Sequence, residues 1–129
     1  MLMRTTCFAP VSVGELVDKI TILTIKTRHI QGSGLNHVQR ELASLEHVYT
    51  RSGLAIEAHL VEQLQQVNQD LWEVEDALRK QEQRQDFGHE FVSLARSVYQ
   101  LNDHRAAIKY QINMQHNSEL VEEKSYGNA

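Results

Sequence analysis

The chain has 129 residues, of which 41% are hydrophobic and 23% are charged, with a formal net charge of −4. This length suits one domain with a buried core, so we expect a single helical-bundle domain over residues 1–129. The acidic balance argues against nucleic acid as a partner, because binding along phosphates requires a basic face. The lone cysteine, Cys7, rules out an internal disulfide. No signal-peptide pattern and no apolar run of roughly 20 residues is present, so we expect a cytoplasmic protein without a membrane span.

The segment after the only proline carries a helix-start signal. Ser12 and Glu15 have capping-box spacing, in which the serine hydroxyl accepts from an amide three residues on and the glutamate reaches back. We expect helix one to run from about Val13 to Ile30. It should stop at the Gln31–Gly34 segment, because glycine adopts the left-handed conformation that closes a helix.

Three further helices are predicted from apolar residues that recur every three or four positions. The second runs from about Asn36 to Thr50. The third ends near Gln85, and the fourth runs from about His89 to His116, so that each is about 40 Å long at 1.5 Å per residue. A heptad seam follows the third helix, with the members Leu60, Leu64, Val67, Leu71, Val74 and Leu78.

These elements predict an all-α protein, an antiparallel helical bundle of about four helices with two long helices and short extended termini. Residues 1–9 and 118–129 lack a helical pattern, and their composition permits short strands. Within the tail, Leu120 and Tyr126 are expected to dock on the bundle or on another subunit. The two long helices need more apolar cover than the other two supply, so the pattern predicts a homodimer.

Two charged residues occupy positions that the helical period turns inward. Arg105 stands at an apolar seam position of helix four. Helix one is apolar on two sides, and at 100° per residue Asp18 falls between the residues of one of them. Such a helix is normally central, so Asp18 should be enclosed, and a buried carboxylate needs a partner. We therefore expect a bidentate Asp18–Arg105 pair, with Asn102 or Lys109 closing its remaining hydrogen bonds.

This cluster has two interpretations. In the first, the pair is structural and fixes the register and order of the helices, as buried polar groups do in coiled coils. In the second, Lys19, Lys26, Arg105 and Lys109 ring a small anion, such as a dicarboxylate or a phosphate, inside the bundle. Structural ion pairs outnumber catalytic ones, which favours the first interpretation.

Three stretches carry a family resemblance: PVSVGELVDKITILTIK at 10–26, LNDHRAAIKYQIN at 101–113 and SELVEEKSY at 118–126. They resemble a family of uncharacterised bacterial and phage proteins that is catalogued only as a domain of unknown function. The resemblance covers both ends of the chain and implies no activity. It implies only that helix one and helix four belong together.

A metal-binding bundle and a helical enzyme would each need a particular set of residues. A di-iron bundle needs Glu-x-x-His on two helices, and that motif does not occur, so we expect neither a metal site nor a cofactor. A chorismate-mutase-like enzyme would clamp carboxylates with Arg28, Arg105 and either Lys19 or Lys26. A nucleotide-pyrophosphohydrolase-like enzyme would need clustered carboxylates, for which Glu73 with Asp76 and the acidic tail are the candidates.

The sequence thus predicts a small non-enzymatic interaction or accessory module with a protein partner. The alternative is a small-anion-binding helical enzyme of one of these two kinds, built on the cationic cluster.

Overall fold

The computed structural model describes residues 3–125, and over that range it contains four α-helices and no strand. In chain order they are α1 (Val13–His29), α2 (Gly32–Ser52), α3 (Ala58–Gln83) and α4 (His89–Gln115). The prediction of an all-α bundle is confirmed, and α3 and α4 are its two long helices, with 26 and 27 residues. No helix within residues 3–125 combines the length and the apolarity that a membrane span requires.

The second helix is longer than its sequence pattern predicts. It begins at Gly32 rather than near Asn36 and has 21 residues, so α1 with 17 residues is the shortest helix. Two residues with extended backbone angles, Ile30 and Gln31, separate α1 from α2, and Gly32, the first residue of α2, has φ +68°. At the other end, Gly53 has φ +74° and closes α2 in the left-handed conformation.

α1 is the central helix of the molecule. It packs against α2 on one side and against both α3 and α4 on the other, whereas α2, within the described residues, packs only against α1. α3 and α4 form an antiparallel hairpin joined by residues 84–88. The two-sided apolar pattern of α1 therefore has a structural cause, since Leu16, Leu23 and Ile25 are all buried. It places Asp18 inside the molecule.

The core lies at the end of the α3/α4 hairpin that α1 covers. It consists of the buried residues Val17, Ile56, Leu60, Leu64, Val67, Ile108 and Ile112. α1 ends where the ring of His29 stacks on Trp72, with 4.7 Å between the ring centroids. α3 continues for eleven residues beyond Trp72, about 16 Å of helix. We call residues 73–100, which α1 does not reach, the hairpin extension.

The hairpin extension is apolar but poorly covered. Five of its seam residues are only half-buried, namely Val74, Leu78, Phe91, Leu94 and Val98. On α3 the same heptad seam is fully buried below Trp72 and loses that burial above it. The difference follows from the length of α1, which has no residues left to cover the second half of the seam.

The ends of the described chain have no regular secondary structure. Residues 3–10 are exposed, with Met3 and Phe8 each 92% accessible. Leu120 is 41% exposed in the single chain, and its docking on another subunit stays a prediction. The other residue of that prediction, Tyr126, lies outside the described residues. Hydrogen bonds and ion pairs of polar side chains connect the tail to the helices.

Candidate functional site

A buried carboxylate stands at the centre of the candidate site. Asp18 is 1% exposed because it lies on the side of α1 that faces the α3/α4 hairpin. The Nε of Arg105 donates to Asp18 Oδ1 at 2.9 Å, and Arg105 Nη2 donates to Oδ2. The hydrogen bond to Asp18 raises the pKa of the Arg105 guanidinium despite its partial burial. The contact is a bidentate, charge-assisted pair.

Two neutral side chains complete the shell around Asp18. Asn68 on α3 donates from Nδ2 to Asp18 Oδ1 and to Thr21 Oγ1, both at 2.9 Å. Thr21 Oγ1 in turn donates to the backbone carbonyl of Asp18 at 2.7 Å. Asn68 and Thr21 are 5% and 3% exposed. The carboxylate of α1 is thus bound from α3 and from α4 at once, which fixes the relative positions of three helices.

Lys109 forms a second centre one turn along α4. Its Nζ lies 2.6 Å from Glu15 Oε2, 3.2 Å from Glu122 Oε2 and 3.8 Å from Asp18 Oδ2. The Lys109 side chain is 7% exposed, whereas those of Glu15 and Glu122 are 39% and 44% exposed. One ammonium group therefore ties α1 and the tail to α4.

The N-terminus of α1 is closed by side chains from distant parts of the chain. Its first amides, of Val13 and Gly14, donate to Ser118 Oγ at 3.0 Å and to Asn113 Oδ1 at 2.7 Å. The next amide, of Glu15, donates to Ser12 Oγ at 3.0 Å, which is the serine half of the predicted capping box. Because these donors are in use, the helix end does not offer them to an anion.

The close approach of α1 to α4 depends on Gly14. A Cβ atom at this position would lie 2.6 Å from the backbone oxygen of Lys109 and 3.1 Å from Asn113 Oδ1. Both distances are shorter than normal contacts. Only glycine lets the two helices meet at the separation that the Asn113 hydrogen bond and the Lys109 ion pairs require.

The structure brings together four of the six residues that the sequence singled out. Asp18, Arg105 and Lys109 form the charge cluster, and Asn102 accepts a long 3.5 Å hydrogen bond from Arg105 Nη1. Lys109 donates its hydrogen bonds to Glu15 and Glu122 rather than to Asp18, and its Nζ lies 3.8 Å from Asp18 Oδ2.

The two lysines of α1 are not part of this cluster. Lys19 pairs with Glu41 of α2 at 3.3 Å, because one step of 100° along α1 turns it away from the side of Asp18. Lys26 forms no ion pair with any residue between 3 and 125. The ring of four cations expected for an anion site is therefore not assembled.

Several residues of the site were not singled out by the sequence. Asn68 follows Leu64 by one helical turn, so its spacing turns it inward, but a neutral amide does not stand out in a helix rich in glutamine. Asn113, Gly14 and Glu122 act through partners about 13 to 99 residues away in the chain. Local sequence patterns carry no signal for such contacts.

The cations of the cluster are neutralised by carboxylates of the same chain. Two cations, Arg105 and Lys109, face three carboxylates, those of Glu15, Asp18 and Glu122. Formally the cluster carries one net negative charge. An added anion would meet repulsion here, and it would have to displace a carboxylate that is already bound.

A protein-family model matches residues 8–129, a span that contains all four helices and the whole charge cluster. The chain belongs to the DUF6165 family of unknown function. No curated protein and no solved structure matches it. The expected membership in a family of unknown function is confirmed, and it adds no activity to the geometry of the site.

One titration of this DUF6165 protein follows from the geometry. Burial disfavours the charged form of Lys109 and is the largest single influence, but the hydrogen bonds to Glu15 and Glu122 and the charge of Asp18 together raise its pKa above 10.5. The charged form is therefore favoured by folding. Its contribution to stability is complete below the unfolded pKa and is lost as the pH rises through the higher folded value.

We expect the Lys109 ¹³Cε signal to titrate with a midpoint above 10.5. Glu122→Gln should lower that midpoint, because it removes one of the carboxylates that favour the ammonium form. A midpoint at or below the ordinary value, or one that Glu122→Gln leaves in place, would contradict the arrangement.

Proposed function

We propose that this protein is a non-enzymatic interaction or accessory module of the cytoplasm, formed by a single domain over residues 1–129, and that it acts as a homodimer with a protein partner. The observation that carries the proposal is the internal neutralisation of the charge cluster. Arg105 binds Asp18, and Lys109 binds Glu15 and Glu122, so the two cations serve the fold. The cluster is the means by which α1, α3, α4 and the tail hold one arrangement.

The alternative of a small-anion-binding enzyme has no support in these contacts. The chorismate-mutase-like version needs Lys19 or Lys26 beside Arg105, and Lys19 is bound to α2 instead. The pyrophosphohydrolase-like version needs converging carboxylates. Glu73 binds Gln69 and Asp76 binds Lys80 on the same helix, whereas Glu122 lies at Lys109. The bacterial or phage source that the resemblance implies stays a prediction.

The homodimer is supported by the hairpin extension. Its heptad seam continues past the end of α1, and its apolar residues are left half-buried. Side chains spaced in this way normally pack against another helix, because apolar side chains that are left in contact with water are unfavourable. A second copy would supply such a helix without any further protein.

We expect sedimentation equilibrium at micromolar concentration to return twice the 14.8 kDa mass of the chain. The same result should hold at high salt, because burial of the apolar seam contributes a part of the association that salt does not screen. A mass of 14.8 kDa at that concentration would contradict the homodimer and with it this part of the proposed function.

A further inference from the structure

We propose that two copies of the chain pack α3 against α3 in antiparallel orientation, about a twofold axis at Ala77. In this arrangement the acidic part of each helix faces the basic end of the other. The contact surface, here called the α3 stripe, consists of Asp70, Glu73, Ala77, Lys80 and Arg84. The inference rests on the proposed homodimer and specifies which surface forms it.

The spacing of the α3 stripe is that of a helical contact. Its residues follow one another at intervals of three, four, three and four, so they lie on one side of the helix. Arg84 is the C-cap residue and keeps helical backbone angles, with φ −83° and ψ −4°, so the stripe runs without a break to its last member. α3 thus presents two acidic residues, a small central residue and two basic residues in line.

An antiparallel twofold contact pairs these charges. Asp70 lies seven residues before Ala77 and Arg84 seven after it, so Asp70 meets the partner subunit's Arg84. Glu73 and Lys80 lie four before and three after, so Glu73 meets the partner subunit's Lys80. Each pair occurs twice by symmetry, and a parallel arrangement would place like charges together. The small side chain of Ala77 allows the two helices to approach closely at the axis.

The charges of the α3 stripe are available for this contact. Glu73, Lys80 and Arg84 are exposed, and Asp70 is half-buried. Within residues 3–125, Asp70, Glu73 and Arg84 form no ion pair. Gln66 and Gln69 donate to the Asp70 and Glu73 carboxylates at 2.9 and 3.2 Å, which orients both groups.

Lys80 forms one ion pair within residues 3–125, and that pair is weak. Its Nζ lies 3.2 Å from Asp76 Oδ2, and the two side chains are 62% and 59% exposed. An exposed pair one turn apart on a helix is worth only about 0.3–0.5 kcal/mol. Lys80 can exchange it for a contact between subunits.

The stripe borders an apolar hollow on the uncovered face of the hairpin. The hollow lies between α3 and α4 and contains Val74, Leu94 and Leu101 beside Asp70 and Glu73. Asn68 and Trp72, which contact α1, lie on the opposite side of α3, so α1 does not obstruct it. The second copy of α3 would cover these apolar residues between the two pairs of charges.

Two variants with complementary charges test the contact. Asp70→Lys with Glu73→Lys makes the stripe basic throughout, and Lys80→Glu with Arg84→Glu makes it acidic throughout. Each variant alone should associate at least tenfold more weakly than the wild type in sedimentation equilibrium, because all of its paired positions repel. An equimolar mixture should recover the dimer, since every basic residue then faces an acidic one. Contacts within one chain cannot produce this recovery.

A matched control and a direct readout accompany these variants. Arg40→Glu with Arg51→Glu makes the same change of charge as Lys80→Glu with Arg84→Glu, but on the exposed surface of α2, and should dimerise like the wild type. Ala77→Cys, in a chain whose exposed Cys7 is replaced by serine, should form a disulfide between copies on mild oxidation, because Ala77 lies at the axis.

The outcomes separate this inference from the proposed function. A dimeric wild type whose two charge variants stay dimeric, or whose mixture stays monomeric, overturns the α3 contact and leaves the homodimer standing. Failure of Ala77→Cys to cross-link in a dimeric protein likewise overturns it. A monomeric wild type overturns both.

Discussion

Arg105→Met is expected to lower the free energy of unfolding by about 3–5 kcal/mol, because it leaves the Asp18 carboxylate buried without its cation. Asp18 is 1% exposed, so water cannot replace the lost partner. The hydrogen bond from Asn68 and the Lys109 ammonium, 3.8 Å from Asp18 Oδ2, remain, but neither replaces the bidentate contact.

Asp18→Leu should cost less, about 1–3 kcal/mol, because the Arg105 side chain is 27% exposed and can turn towards solvent. The double variant should recover most of the larger loss, since methionine and leucine can pack where the ion pair stood. Recovery will stay incomplete because Asn68 and Thr21 keep polar groups beside the new apolar side chains.

Urea melts of the wild type and the three variants measure these differences. Losses that add up in the double variant would show that the two residues do not act as a pair. Phosphate and citrate should leave all four midpoints unchanged beyond a general salt effect. Selective stabilisation of the wild type by either anion, lost in Arg105→Met, would favour the anion-site alternative.

Gly14→Ala is expected to destabilise the fold by about 1–3 kcal/mol, in spite of the better helix propensity of alanine. The new Cβ would lie 2.6 Å from the backbone oxygen of Lys109, and backbone cannot yield as a side chain can. α1 must therefore move away from α4, which lengthens the hydrogen bond from the Gly14 amide to Asn113.

Gly34→Ala is the matched control for this change. A Cβ there meets only the Cγ2 methyl of Ile30, the C-cap residue of α1, at 3.0 Å, and this side-chain methyl can shift. Its unfolding midpoint should stay close to that of the wild type. A Gly14→Ala protein as stable as the wild type, with the Gly14 amide still protected from exchange, would show that the two helices are not in close contact.

Apolar periodicity was enough to predict the helices and the central position of α1. Packed helices need a continuous apolar stripe, so the spacing of residues such as Leu60 and Leu64 predicts which side of the helix is in contact. The start of α2 was harder to predict. Two glycines between residues 31 and 35 resemble a loop, yet the extended Ile30 and Gln31 followed by the left-handed Gly32 suffice for the change of direction.

The sequence predicts only those members of the cluster that are charged residues on an apolar side of their helix. Asp18 and Arg105 break the pattern of their helices and are therefore visible in the sequence. Asn68 and Gly14 are not, since asparagine and glycine are ordinary residues on a polar helix or near a helix start. Their roles depend on which helix lies opposite, and that is settled by the tertiary fold.

The closure of α1 by Asn113 and Ser118 has a consequence for synthesis on the ribosome. These hydrogen bonds join residues 99 and 105 positions apart, so α1 leaves the ribosome long before its partners exist. At about 5–20 residues per second, the delay is about 5–20 s. During that time α2, and later α3, can cover α1, but the part of α1 that packs against α4 stays open. The nascent chain is therefore a candidate for chaperone binding until α4 has emerged, and its final folding step is the docking of its first helix.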